Sequence, residues 1–100
     1  MIIYQVKISV KAAIEQEWLH WMRSIHVPDV LATGLIEKHQ IWKPEPEDED
    51  KDPIYLFQYY FKDKSAYEIY RRDHAPALKA HPLQKFPGQF QAIRQLFLQL

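Results

Sequence analysis

The spacing of apolar residues switches from a strand period to a helix period twice along this chain, and the order of those switches restricts the fold more than any other feature. Ile2, Tyr4, Val6, Ile8 and Val10 alternate with Ile3, Gln5, Lys7 and Ser9, which describes a strand with one wholly apolar face. Ile14, Trp18, Trp21, Met22 and Ile25 then fall at steps of 4, 3, 1 and 3, one stripe on a helix from about Ala12 to Ile25. Glu15 and Glu17 favour its positive end, and His26 follows its negative end. Pro28 is expected to open a separate short turn reaching Thr33, which Gly34 closes in the left-handed conformation. Leu35 to Lys43 carries apolar residues on both faces with polar ones between, the pattern of a bulged or edge strand. Ile54 to Phe61, I-Y-L-F-Q-Y-Y-F, is apolar or aromatic on both faces apart from Gln58 and needs cover above and below. Asp63 or Ser65 caps a second helix with Ala66, Ile69, Tyr70 and Ala77 inward, and Pro76 kinks or restarts it near His74. Pro82, Pro87 and Gly88 read as punctuation of the following turn, and Phe90 to Leu98 reads as the last strand.

The order is βαββαβ. Right-handed crossovers turn it into one α+β domain over residues 1 to 100, a ferredoxin-like antiparallel sheet of spatial order 4-1-3-2 with both helices on one face. Helices cover only one face, so the apolar second face of Ile54 to Phe61 would be an exposed patch. A second copy packed sheet to sheet, a homodimer, is the expected cover. Residues 45 to 52, E-P-E-D-E-D-K-D, hold six acids against one lysine in a chain of zero net charge. Such a run cannot bury apolar surface and is expected to be a solvated loop.

Composition excludes several functions. With no cysteine there are no disulfides, no thiol catalysis and no cysteine zinc sites. The two glycines, Gly34 and Gly88, cannot build a phosphate-cradling loop. Apolar runs fall far short of a membrane helix, and Met1 leads straight into a strand pattern, so a cytoplasmic location without membrane attachment is expected.

Several stretches carry a family resemblance: M-I-I-Y at the start, E-W-L-x-W-M at 17 to 22, H-V-P-D-V-L-A-T-G at 26 to 34, D-H-A-P-A-L at 73 to 78, and K-F at 85 and 86. Together they resemble the small bacterial proteins grouped as domain of unknown function 4286. The resemblance implies a ferredoxin-like α+β protein related in shape to dimeric α/β-barrel proteins, a group that includes cofactor-free oxygenases, small cyclases and haem-binding enzymes. It implies no function.

Histidine is the side chain suited to acid or base work near neutral pH, and His26 and His74 each sit beside a proline at an expected helix end. The ordinary role there is to hydrogen-bond the last carbonyls of a helix. Antiparallel central strands place the two helix ends at opposite ends of the domain, so the two histidines are not expected to share a site within one chain. No metal site and no cofactor are expected. Trp18, Trp21 and Met22 suit the core beneath a helix. Tyr55, Phe57 and Tyr59 invite comparison with base-stacking sheets, but the acidic loop and the lack of a basic face argue against nucleic acid. The sequence therefore points first to a non-catalytic binding or interaction module acting as a homodimer. The alternative is a small-molecule enzyme of the cofactor-free monooxygenase or cyclase type, with His74 as acid or base and Trp18, Trp21 and Tyr70 binding the ligand. A single-stranded RNA binder ranks last.

Overall fold

The computed structural model describes residues 1–48 and 50–100. Strands β1 (Ile2–Val10), β2 (Ile36–Trp42), β3 (Ile54–Phe61) and β4 (Phe90–Leu98) form one antiparallel sheet in the order β2-β3-β1-β4. This is the ferredoxin-like βαββαβ arrangement. β2 is an edge strand with a register shift between Ile36 and Lys38, so both explanations of its mixed pattern apply. Helices α1 (Glu15–Trp21), α2 (Val27–Leu31), α3 (Lys64–Asp73) and α4 (Ala75–Lys85) cover one face. Beneath them the core is built from Tyr4, Val6, Ile8 and Val10 of β1 and Tyr55, Phe57, Tyr59 and Phe61 of β3.

The first helical region does not stop at Ile25. A 3-10 turn (Ala12–Ile14) leads into α1, and a π turn (Met22–His26) carries the chain into α2 with helical backbone angles throughout. Proline has no N–H to donate and its ring crowds the carbonyl four residues earlier. The wider turn immediately before Pro28 relieves both problems, so the helix passes through the proline instead of restarting after it. The extra residue also rotates the stripe: Met22, Val27 and Val30 are buried, while Ile25 is exposed. Gly34 closes the region at φ +77, as expected of the left-handed position.

The second helical region is split as Pro76 requires, with His74 serving both as the C-cap of α3 and the N-cap of α4. Asp63 is the cap at its start, accepting from the Ala66 N–H at 2.9 Å. In α3 Tyr70 takes the inner position and Ile69 is exposed; the new helix resets the phase, so Ala77 faces outward and Ala75, Leu78, Pro82 and Phe86 line the inner side. Pro82 lies inside α4, not in a turn; its buried ring belongs to that stripe and its carbonyl still accepts from the Phe86 N–H.

The aromatic side of β3 is the side the helices cover. Trp18 lies edge-on to Phe57 with ring centres 5.8 Å apart, and beside Tyr55 at 5.4 Å. Tyr55, Phe57 and Tyr59 are therefore core and offer no stacking platform. The outer face is mixed: Gln40, Gln58, Gln5 and Gln95 stand in register across all four strands, with Lys38, Tyr60, Ile3 and Phe97 in the row on one side and Trp42, Leu56, Lys7 and Ile93 in the row on the other. Gln58 Nε2 donates to Gln5 Oε1 at 2.9 Å, and Trp42 Nε1 donates to Gln58 Oε1 at 2.9 Å.

The described part of the acidic segment is irregular and exposed, in keeping with a solvated loop; Glu49 lies outside the described residues. Its ends are tethered, since Lys43 pairs with Glu47 and with Glu15, and Glu15 accepts from the Tyr55 hydroxyl at 2.6 Å. Among the described residues no helix is long and apolar enough to cross a membrane.

Candidate functional site

A cleft opens between the helices and the sheet where β1, β3 and β4 face α1, the π turn, α3 and α4. Its walls are Val6, Ile8, Met22, Phe57, Leu78, Pro82, Phe90 and Ala92, and its polar groups come from Tyr4, Trp18, His26, Tyr59, Tyr70, Lys79 and Arg94. The cavity volume is about 40 Å³, room for roughly two or three waters. An organic ligand needs ~300 Å³ or more, so one enters only if a wall moves. The wall best placed to move is α4, which is bounded by the Pro76 junction at one end and by Gly88 at φ +70 at the other. Of its own residues only Ala75 and Pro82 are fully buried.

Three buried side-chain polar atoms have no protein partner among the described residues: Trp18 Nε1, His26 Nδ1 and Tyr59 Oη. All three residues line this cleft. Trp18 is 0% exposed and Tyr59 3%. A buried donor or acceptor left without a partner costs about 1–3 kcal/mol. Three of them would consume a large share of the ~5–15 kcal/mol by which a domain is stable. The side chains that carry these atoms surround the cleft, so a ligand that parts its walls is placed to supply the partners.

His26 reaches the cleft because the π turn turns it inward. Its ring stacks on Trp21 with centres 6.0 Å apart, and Trp21 in turn meets His81 edge-on at 5.2 Å. Burial, reinforced by the nearby His81, pulls the His26 pKa down to about 4, against a smaller upward pull from Asp29. The imidazole is consequently neutral at pH 7 and a weaker base than an ordinary histidine. Burial pushes the Tyr59 and Tyr70 phenols upward, so both remain protonated donors. Tyr4 is also raised by burial, with Arg94 pulling the other way.

The residues expected from sequence divide. Trp18 and Tyr70 line the cleft; Trp21 stands behind it, holding His26. His74 is not among the lining residues: α3 ends at Asp73, and the junction leaves its ring stacked on Tyr70 at 6.4 Å. His26, a histidine suited to acid-base work whose ordinary role at a helix end is a cap, is turned inward by a π turn that nothing in the sequence marks except a proline two residues on. Arg94 and Lys79 were missed although a signal exists. Arg94 occupies an inward position of β4 between Ala92 and Leu96, and Lys79 falls one turn after Ala75 on the inner stripe of α4. Among the described residues no group of three or more His, Asp or Glu side chains is arranged to hold a metal ion.

Comparison with known proteins adds the following. The family model described as Domain of unknown function (DUF4286) matches residues 1–100. A search of the curated proteins found no match. Among solved structures, HapK from Hahella chejuensis is similar at 13% identity and a TM-score of 0.72, with 100% of this chain and 93% of that one covered. A mutant of SnoaB, a cofactor-independent oxygenase from Streptomyces nogalater, is similar at 14% identity and a TM-score of 0.70, covering 98% and 91%. An ethyl tert-butyl ether d (ethd) family protein from Bacillus halodurans is similar at 16% identity and a TM-score of 0.65 over the whole of both chains. At these identities the likeness is one of fold.

Proposed function

The chain belongs to the DUF4286 family, and from that premise we propose that it binds a small organic molecule in the cleft between its helices and its sheet. The placement of Trp18, His26 and Tyr59, each with a buried polar atom that no protein group satisfies, around one apolar-walled cleft carries this reading. Trp18 can only donate and a protonated Tyr59 is placed to donate, so the ligand presents at least one acceptor oxygen or nitrogen to them. Val6, Ile8, Phe57 and Phe90 suit an apolar, flat body. Such a site fits a binding module, the function expected first from sequence.

A catalytic reading has one specific observation in its favour, the placement of the His26 imidazole in the same cleft. His26 Nδ1 takes a proton from an acidic O–H of the ligand, leaving the electron pair on that oxygen, once the anion so formed beside it raises the imidazole pKa from about 4. The acid-base role that the sequence suggested for His74 passes to His26 in this reading, and His74 becomes the pivot of α4. The fold likeness to a cofactor-independent oxygenase is compatible with either reading. The working form is a homodimer, in which the mixed outer face of the sheet meets a second copy.

Native mass spectrometry of the purified protein tests the binding reading, together with Tyr59→Phe. A copurifying organic compound is expected in the parent and lost or depleted in Tyr59→Phe. That substitution is expected to leave stability unchanged or raise it by up to ~1 kcal/mol in urea denaturation, because it removes a buried hydroxyl that no protein group satisfies. A stability loss of about 1 kcal/mol or more, with no bound compound in either protein, would overturn the proposal.

A further inference from the structure

The cleft has a charged mouth as well as a polar floor. Arg94, paired with Val6 in the sheet, projects from the helix-covered face of β4, where Phe90, Ala92, Leu96 and Leu98 share its side. Lys79 projects from the inner stripe of α4, between Ala75 and Pro82. Each is a basic residue at a position whose neighbours on the same face are apolar or small, and both line the same cleft. Neither belongs to any ion pair among the described residues. Burial first, and then repulsion from Arg94 and Arg71, holds the Lys79 pKa below its usual value.

Two like charges brought together from separate elements, with no carboxylate between them, weaken the fold slightly. The chain has as many acids as bases to draw on, and it pairs Arg71 with Glu68, Arg72 with Asp73 and Lys43 with Glu15 elsewhere. At the cleft mouth it does not. An anion supplied from solution resolves the repulsion, and a planar carboxylate matches the donor fork of a guanidinium.

We propose that the ligand of this cleft is an organic anion, its apolar body among Phe57, Phe90 and Pro82 and its carboxylate held at the mouth by Arg94 and Lys79. This rests on the binding reading above and names the chemical class of ligand that the site takes. Because Lys79 rides on α4, the anion also links α4 to β4 and draws the moving wall closed over the ligand. Salt weakens the contact, since both cations are exposed at their ends.

Benzoate and benzamide test the inference, because they share one ring and nearly one shape and differ in charge. The readout is the indole N–H signal of Trp18 in a nitrogen-proton correlation spectrum, assigned with Trp18→Phe. Benzoate is expected to shift that signal with an affinity at least about tenfold above that of benzamide at low salt. Lys79→Gln/Arg94→Gln is expected to level the two by weakening benzoate alone. Both side chains are exposed, so the double variant keeps the fold. Equal affinities in the parent would overturn the anion inference and leave the binding cleft standing. A preference for benzoate that survives the double substitution would likewise overturn it, since the charge would then be read elsewhere. If neither compound moves the Trp18 signal at millimolar concentration, the inference falls together with the binding reading.

Discussion

At the scale of single residues the molecule is governed by side chains whose chemistry disagrees with their surroundings. His26 is one. Unfolded, it titrates near 6.5; folded, its pKa lies at about 4. Between those values the unfolded chain binds the extra proton, so stability rises with pH across this window and is lost as pH falls from 6.5 towards 4. The upper bound is about 3 kcal/mol, from ~1.4 kcal/mol per unit. Urea denaturation at pH 7 and pH 4.5 is expected to show this loss in the parent and much less of it in His26→Gln; equal losses would place His26 in a solvated environment. His81, Asp29 and Arg94 are the charged neighbours that modulate the value, and Trp21 shields it. Little of this was legible in the sequence. A histidine beside a proline at an expected helix end looks like a cap, and only the turn geometry between Met22 and His26 turns it inward. Trp18 and Tyr70 were legible, because a large aromatic on an inner stripe has to meet the sheet. Arg94 was legible in principle, as the break in an apolar face.

At the scale of elements, local signals succeeded where one residue dictates one backbone conformation. They failed where tertiary packing outweighs that preference. Gly34 and Gly88 adopt positive φ, as the turns require. Asp63 at the start of α3 satisfies the Ala66 N–H, and Asp63→Ala is expected to cost about 1 kcal/mol in thermal or urea unfolding. Asp63→Asn is expected to keep most of that stability, because the amide oxygen can accept the same bond. If both substitutions cost the same, the charge and not the cap would be responsible. Pro82 shows the opposite situation: in sequence a proline amid polar residues reads as a break, yet its buried ring continues the line from Ala75 and Leu78 to Phe86. Pro28 is tolerated through a third route, the π turn, for which a single sequence carries no pattern. The strands were the most legible elements, because a two-residue period assigns each side chain to a face without reference to anything else. What that period does not say is which face the helices take. The aromatic side of β3 therefore remained open until the helices were seen above it.

At the scale of the whole molecule, the helices cover β1 and β3 but leave Leu96 and Leu98 at the edge of their own side exposed, and a broader apolar surface lies on the other side of the sheet. Ile93 is 67% exposed and Phe97 41%, on the edge strand β4, while Leu56, Tyr60 and Trp42 extend the surface across β3 and β2. The row of Gln5, Gln40, Gln58 and Gln95 runs between two rows that are apolar apart from Lys7 and Lys38. A twofold axis through such a row would set glutamine against glutamine and apolar group against apolar group, which is what a self-complementary contact needs. Gln5 and Gln58 are already joined, and they keep further donors and acceptors for a partner. A lasting dimer requires roughly 1,000 Å² or more of buried surface. Two further charges on the exposed apolar side chains of β4 should break it, whereas the helix side and its cleft should remain folded. Light scattering at micromolar concentration is therefore expected to report a dimer for the parent and a monomer for Ile93→Lys/Phe97→Lys, with unchanged far-ultraviolet dichroism. Leu83→Lys, on the exposed side of α4 and away from the sheet, is the control and is expected to stay dimeric. A monomeric parent would mean that the glutamine row is a wetted surface, and the proposed homodimer would have to be abandoned. Dissociation by Leu83→Lys instead would move the interface to the helices, beside the cleft whose opening depends on α4.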